Sequence, residues 1–232
     1  FGLGPRTTCR RNACHGAPWD AITVIREIPL GYINASTACR QRLLSTPNYA
    51  SGMRFVVAMT GASGAVYGKR LLETLPGEKI LVMSDVAKSI IPTELECGPE
   101  GLERLADTVY DDGDLFASIS SGSYRFDAMI IVPCSASSLG KIANGLADTL
   151  ITRAAAVAMK ESRKLILVVR ETPKSAVVLE NELKLARNGV CILDANPGYY
   201  HKPETLDDII DFVVGRCMDQ LGLEHDLYKR WG

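Results

Sequence analysis

Histidine is scarce in this chain. Only His15, His201 and His225 occur among 232 residues, and there is no clustering of Cys, His or carboxylates of the kind that holds a metal. The seven cysteines contain no Cys-x-x-Cys pair and are odd in number. That excludes a simple zinc motif and a fully paired disulfide framework. Cys134 and Cys191 sit in apolar strand contexts, which suits reduced thiols in an intracellular protein. An excess of one charge is also missing. The formal net charge is −1, which excludes nucleic-acid binding driven by bulk charge. No apolar run reaches the ~18–20 residues of a membrane span.

The stretch Arg54 to Gly68, RFVVAMTGASGAVYG, organises what is present. A short apolar run leads into Thr60-Gly61-Ala62-Ser63-Gly64, and a helical pattern starts at Ala65. A buried strand, a turn of small residues and a helix open a nucleotide-binding α/β unit. The turn lets backbone N–H groups approach a phosphate or a ring. Gly61 and Gly64 are present without the full G-x-G-x-x-G fingerprint, so the turn alone also fits a purely structural role.

Residues 1–52 have another character, with six arginines, no lysine, and only Asp20 and Glu27 as acids. An Arg-rich, acid-poor targeting segment and upstream sequence foreign to the natural protein, with Met53 as the start, both fit. The expectation is a poorly ordered extension followed by one domain over residues 53–232. A cytoplasmic location is expected, or a mitochondrial one if the extension is a genuine targeting segment.

From Met53 strands and helices alternate. Strands are expected at 54–60, 79–83, 128–132, 165–169 and 190–193. Helices are expected at 65–75, from Ser84-Asp85 to about 96, over 101–110, after the Ser135-Ala136-Ser137-Ser138 run to about 145, and at 150–161, 175–188 and 206–221. Continuous apolar strands between helices predict a flavodoxin/Rossmann-like three-layer α/β sandwich with a mainly parallel sheet. Ligands of such sheets bind beyond the carboxyl ends of the strands. Those ends carry Gly61-Ala62-Ser63-Gly64, then Ser84, then Ser135-Ala136-Ser137-Ser138, then Arg170-Glu171-Thr172-Pro173, and finally Tyr199 to Lys202. Any single serine is explained as an ordinary N-cap. Several hydroxyl-bearing ends on one side suit a shared anionic ligand, a phosphate or a flavin ribityl chain.

Together, GASGAVYG, PCSASS, NGLADTLITRAA, KESRKLILVVRETP, LEN and PGYYHKPETLDDIIDFVVGR resemble the flavin prenyltransferases of the UbiX type, from Met53 to Gly232. The resemblance implies that reduced FMN is the acceptor, that dimethylallyl monophosphate is the donor, and that no metal takes part. It implies bonds to N5 and C6 of the flavin. It also implies a homododecamer with sites where subunits meet, and a UbiD-type decarboxylase, in ubiquinone or aromatic-acid metabolism, as recipient of the prenylated FMN.

By motif, the resemblance assigns Gly61, Ala62, Ser63, Ser84, Ser135, Ala136, Ser137, Ser138, Arg153 and Arg170 to the flavin. Lys160, Arg170, Tyr200 and Arg216 are assigned to the prenyl phosphate, with Ser121, Gly122 and Ser123 in a loop closing over it. Glu171 is the implied proton shuttle, with Glu94 and Ser63 beside the reacting centre. Solvated helix-face charges at Lys160 and Arg216 and a surface acid at Glu94 are the plain alternatives. The chain departs from the family where Ser135-Ala136-Ser137-Ser138 replaces a more usual Ser-Thr-x-Thr, and Leu115 stands where some members have an aromatic residue. Trp231 covers the prenyl group or simply anchors an interface. Two relatives of the fold make rival readings. An FMN-dependent cysteine decarboxylase needs a His after the first helix and a Pro-x-Met-Asn motif, both missing here. A non-catalytic flavin-binding regulator would not require Lys160, Arg170, Glu171, Tyr200 and Arg216 together.

Overall fold

The computed structural model describes residues 52–232. The expectations for residues 1–51 lie outside the described residues. Six strands form one sheet: β1 (Arg54–Met59), β2 (Glu78–Met83), β3 (Thr108–Asp111), β4 (Ala128–Cys134), β5 (Lys164–Val169) and β6 (Cys191–Asp194). Their order is β3-β2-β1-β4-β5-β6, and every pairing is parallel. The helices are α1 (Ala65–Thr74), α2 (Asp85–Glu94), α3 (Pro99–Glu103), α4 (Ala136–Ala143), α5 (Leu150–Lys160), α6 (Ala176–Arg187) and α7 (Leu206–Leu221), with a 3₁₀ turn at Ser118–Ser120.

Period-two alternation along the strands sends successive side chains to opposite faces. Phe55, Val57 and Met59 of β1 join Leu71 and Leu72 of α1, Ile91 of α2, Leu102 of α3 and Val213 of α7 in one core. Val56 and Ala58 join Leu139 of α4, Ala154 and Val157 of α5 and Leu185 of α6 in the other. The sheet is therefore covered on both faces, which is why its central strands read as unbroken apolar runs.

One segment corrects the sequence reading. Residues 101–110 were expected as a single helix, but the helix is short and ends at Glu103, and Thr108–Asp111 is the edge strand β3. Leu102, Leu105 and Ala106 have helical spacing, while β3 is only four residues long and half-buried at alternate positions. An edge strand of that length leaves little periodicity to read.

The chain reverses direction across the sheet between β1 and β4, whose neighbours lie on opposite sides. This switch point opens a crevice at the carboxyl ends of the two strands. Thr60, 2% exposed, holds it together. Its backbone N–H and its hydroxyl both donate to the Pro133 carbonyl, at 3.2 and 3.0 Å, and its Oγ1 accepts from the Ser135 N–H at 2.8 Å. Proline cannot donate to a ladder, and β4 shifts register at this point.

Candidate functional site

A cleft of about 450 Å³ lies at the switch point. One wall is the turn after β1 with the start of α2, represented by Gly61, Ser84 and Val86; the other is the start of α4, Ser135 to Ser138. Glu171 reaches the rim from the segment after β5. Gly61 is required sterically, because a Cβ there would lie 2.5 Å from Cγ1 of Val86. Ala62 is buried beneath the turn.

The serines are both caps and candidate ligands. Ser84 accepts from the Ala87 N–H at 3.2 Å, and Ser135 accepts from the Ser138 N–H at 3.2 Å. Capping occupies a hydroxyl's acceptor side and leaves its proton. The Ser84 proton is thus available to a ligand oxygen. Ser135 passes its proton to Ser138 Oγ at 3.1 Å, so Ser138 becomes the outward donor of that pair.

Ser63, Glu94 and Arg170 meet beside the cleft. The Gly64 and Ala65 N–H groups donate to one Glu94 carboxylate oxygen at 2.8 and 2.7 Å. Burial pushes the Glu94 carboxyl up, but it is outweighed by hydrogen bonds from the Ser63 hydroxyl and these two N–H groups, with Arg170 nearby, so its pKa falls below the ordinary carboxylate range. Glu94 therefore sits as an anion on the N-terminus of α1, where the helix dipole favours negative charge. Nε of Arg170 donates to the Ser63 carbonyl at 3.3 Å. The Glu171 carboxylate accepts from the Thr172 N–H at 3.0 Å. This group can bind an anion, hold a guanidinium over it and present a carboxylate at the rim.

Other residues singled out in the sequence lie elsewhere in the chain. Arg153 is in the first turn of α5, next to the cleft-lining Thr152, but it is exposed and its Nε donates to the Ser120 carbonyl at 3.0 Å. Lys160 is the last residue of α5, four residues before β5 begins at the opposite end of the sheet. Its ammonium pairs with Glu161. Gly122 packs against it, since a Cβ on Gly122 would fall 2.5 Å from Nζ. The Ser121 and Ser123 hydroxyls bond each other at 2.9 Å in the same region. Tyr200 and Arg216 belong to the outer side of α7. Tyr200 meets Phe212 edge-on at 5.7 Å, and Arg216, one turn beyond Phe212, pairs with Asp219 at 2.7 Å. A single chain thus gathers the flavin-assigned turns with Ser63, Glu94, Arg170 and Glu171, puts Lys160 with Gly122 toward the amino end of β5, and packs Tyr200 and Arg216 against α7.

Sequence reasoning missed Asp112, Lys141 and Thr152, which also line the cleft. Asp112 follows the unread strand β3. Its Oδ1 accepts from the Ile151 N–H at 2.9 Å and its carbonyl from the Leu150 N–H at 2.7 Å, which fixes the start of α5. An acid one residue past an edge strand was the available signal. Cys134, at the end of β4, has its thiol pKa pushed up to about 12 by burial, which keeps it protonated and unsuited to nucleophilic work near neutral pH. Among the described residues no group of three or more His, Cys, Asp or Glu is placed to hold a metal, and no helix is long and apolar enough to cross a membrane.

Known proteins share the sequence and fold of this chain. Residues 44–218 match the Flavoprotein family. The flavin prenyltransferase UbiX of Thermoplasma acidophilum is 50% identical over 180 residues, covering 77% of this chain and all of that protein. A crystal structure of AnUbiX (PadA1) in complex with FMN and dimethylallyl pyrophosphate superposes with a TM-score of 0.76 at 43% identity, covering 78% of this chain and 98% of that one. A dodecameric FMN-dependent Ubix-like decarboxylase from Escherichia coli O157:H7 gives the same TM-score at 47% identity, over 78% of this chain and all of that one.

Proposed function

The chain belongs to the flavoprotein family and within it to the UbiX-type flavin prenyltransferases, and from that premise we propose that it joins a dimethylallyl group to reduced FMN. The observation that carries the reading is the cleft at the β1/β4 switch point, whose two helix starts and Arg170–Glu171 rim match what a flavin phosphate and a reacting ring require. The steric need for glycine at position 61 and the outward hydroxyls of Ser84 and Ser138 fit a planar, phosphate-bearing acceptor.

Reduced FMN supplies the electron-rich N5 and C6. The allylic C–O bond of the donor breaks with its electron pair leaving on phosphate, and the carbon–nitrogen bond to N5 forms with loss of the N5 proton. The carbon–carbon bond to C6 then forms at the expense of the prenyl double bond, which takes up a proton at its other carbon while C6 loses one. The protein's task is to bind and orient the two partners, offset charge on the departing phosphate and move protons. Arg170 stands over the Ser63 turn and meets that charge. Glu171, at the rim, is the carboxylate placed to carry a proton. Glu94 is held as an anion by the N–H groups of Gly64 and Ala65, so it orients Ser63 and stabilises developing positive charge rather than donating a proton.

Lys160 contributes to the donor phosphate from another copy of the chain, alongside Tyr200 and Arg216. Lys160 cannot reach its own cleft, because β5 alone separates it from Arg170 by roughly 17 Å at ~3.3 Å per residue. An exposed apolar pair in the loop after β3 is suited to assembly: Phe116 is wholly exposed and Leu115 is 43% exposed. The reading is thus a homo-oligomer, dodecameric as in the E. coli relative, that uses dimethylallyl monophosphate and passes its product to a UbiD-type decarboxylase.

The test is anaerobic incubation of the protein with reduced FMN and either dimethylallyl monophosphate or the diphosphate, followed by mass spectrometry of the extracted flavin. Gain of one five-carbon prenyl unit, lost in Glu171→Gln, is the expected result. Bound flavin of unchanged mass with both donors overturns the reading.

A further inference from the structure

Residues 222–232 turn back from the end of α7 and pack along it. Their contacts converge on Asp219, whose side chain is only 12% exposed. One of its oxygens accepts from Arg216 Nη1 at 2.7 Å and from the Tyr228 hydroxyl at 2.6 Å. The other meets Arg230 Nη1 at 2.7 Å and His225 Nε2 at 3.1 Å. Nδ1 of His225 accepts from the Leu227 N–H at 3.2 Å, which leaves Nε2 to donate to the carboxylate. Burial works against the Asp219 charge, and the Tyr228 hydroxyl, Arg230 and His225 overcome it, so its pKa is lowered.

A second observation lies beneath the same segment. Gly215 is one residue before Arg216, and a Cβ there would fall 2.6 Å from the Tyr228 ring and 2.7 Å from the His225 ring. Glycine at this point lets the returning segment lie directly on the helix backbone. At the far end of the segment, Trp231 meets Tyr200 edge-on at 5.4 Å, and Tyr200 in turn rests on Phe212. Tyr228 packs on Phe212 from the tail side at 4.9 Å. Phe212 and Arg216 are four apart and share one face of α7. The tail therefore touches both residues read above as phosphate ligands, Arg216 through Asp219 and Tyr200 through Trp231.

We propose that Asp219 is a positioning residue: by clamping the C-terminal segment onto α7 through Tyr228, His225 and Arg230, it sets Arg216 and Tyr200 as one preformed unit for the donor phosphate. The inference rests on the reading that those two residues bind that phosphate. Asp219 engages Arg216 through a single guanidinium nitrogen, so the other N–H donors of the fork remain for phosphate oxygens. With the tail undocked, Tyr200 loses its edge contact and Arg216 its shared anchor, and each becomes a separate mobile side chain whose ordering must accompany binding.

Asp219→Asn in the full chain tests this, with Trp19→Phe as background so that Trp231 is the sole tryptophan. The kcat/KM for dimethylallyl monophosphate should fall on the order of tenfold, a loss of about 1.4 kcal/mol, while KM for reduced FMN stays unchanged. Trp231 emission should become more accessible to acrylamide. Tyr228→Phe keeps the packing but removes the 2.6 Å bond, and should shift both readouts in the same direction by less. Release of Trp231 with an unchanged donor kcat/KM overturns the inference, as does a parallel loss for donor and flavin, which marks a general structural defect. A parent protein that prenylates no flavin overturns the functional reading itself, and the inference falls with it. An active parent with an indifferent Asp219→Asn variant removes the inference alone.

Discussion

Mixing two inactive variants tests whether the site is shared between copies. Lys160→Ala removes the ammonium at the amino end of β5, and Glu171→Gln removes the rim carboxylate at its carboxyl end. Each alone should lower prenylation by about 10²-fold or more, the usual scale for losing a proton-transferring or charge-stabilising group. The two positions are separated by the full length of a six-residue strand, so a single chain cannot bring them to one donor molecule. In an oligomer with equal numbers of both variants, half the chains have intact Lys160 and half have intact Glu171. If each site draws the two residues from different copies, roughly a quarter of sites contain both in a random symmetric assembly. The mixed oligomer should then recover about a quarter of parental activity. If both residues served a site from the same chain, no site would be intact and activity would stay at the level of the single variants. The assay is co-expression with two distinct affinity tags, isolation through both, and mass spectrometry of prenylated FMN formed per subunit. A doubly tagged oligomer no more active than its parents refutes the reasoning.

Glu94→Gln should lower stability by about 1–2 kcal/mol at neutral pH, since it removes an anion from a helix N-terminus and weakens two charge-assisted bonds. The folded pKa of Glu94 lies below its unfolded value, so its contribution is fully present above the ordinary carboxylate range and is lost as pH falls through the lowered value. Denaturant titrations of both proteins should therefore converge on acidification, and a gap independent of pH would contradict the assignment. Gly61→Ala places a methyl 2.5 Å from Cγ1 and 2.9 Å from Cβ of Val86. The expected outcome is an overpacking loss of about 1–3 kcal/mol with weaker flavin binding, both partly restored by adding Val86→Ala. Additive effects in that thermodynamic cycle would show that the contact does not shape the cleft.

Much of the fold is legible because burial on both faces leaves β1, β4 and β5 as uninterrupted apolar runs. β3 is not legible, because an edge strand with alternate half-buried positions resembles the preceding helical spacing. The cleft walls were readable from hydroxyls at strand ends, since those positions are capped helix starts by necessity in a parallel sheet. Glu94 could not be placed from its neighbours in sequence, because its partners are the N–H groups of Gly64 and Ala65, roughly thirty residues earlier. Lys160 illustrates the opposite case. A residue four before a strand belongs to that strand's amino end, so topology already separates it from Arg170, whereas motif likeness groups the two. Tyr200 and Arg216 are tied together by a tail whose seat, Gly215, shows no signal beyond being a glycine inside a helix.

Thr60 has a consequence for binding as well as for folding. Its three bonds connect the end of β1 to the carbonyl of Pro133 and the N–H of Ser135, so the two turns that flank the cleft move as one body. Side chains and loops that order only when a ligand arrives oppose association by roughly 0.5–1.5 kcal/mol apiece. Here that ordering is completed when the chain folds, within a core that excludes water from the shared hydroxyl. A ligand entering between the turns meets walls whose spacing is already set, and its affinity reflects the contacts it makes rather than the freedom it removes.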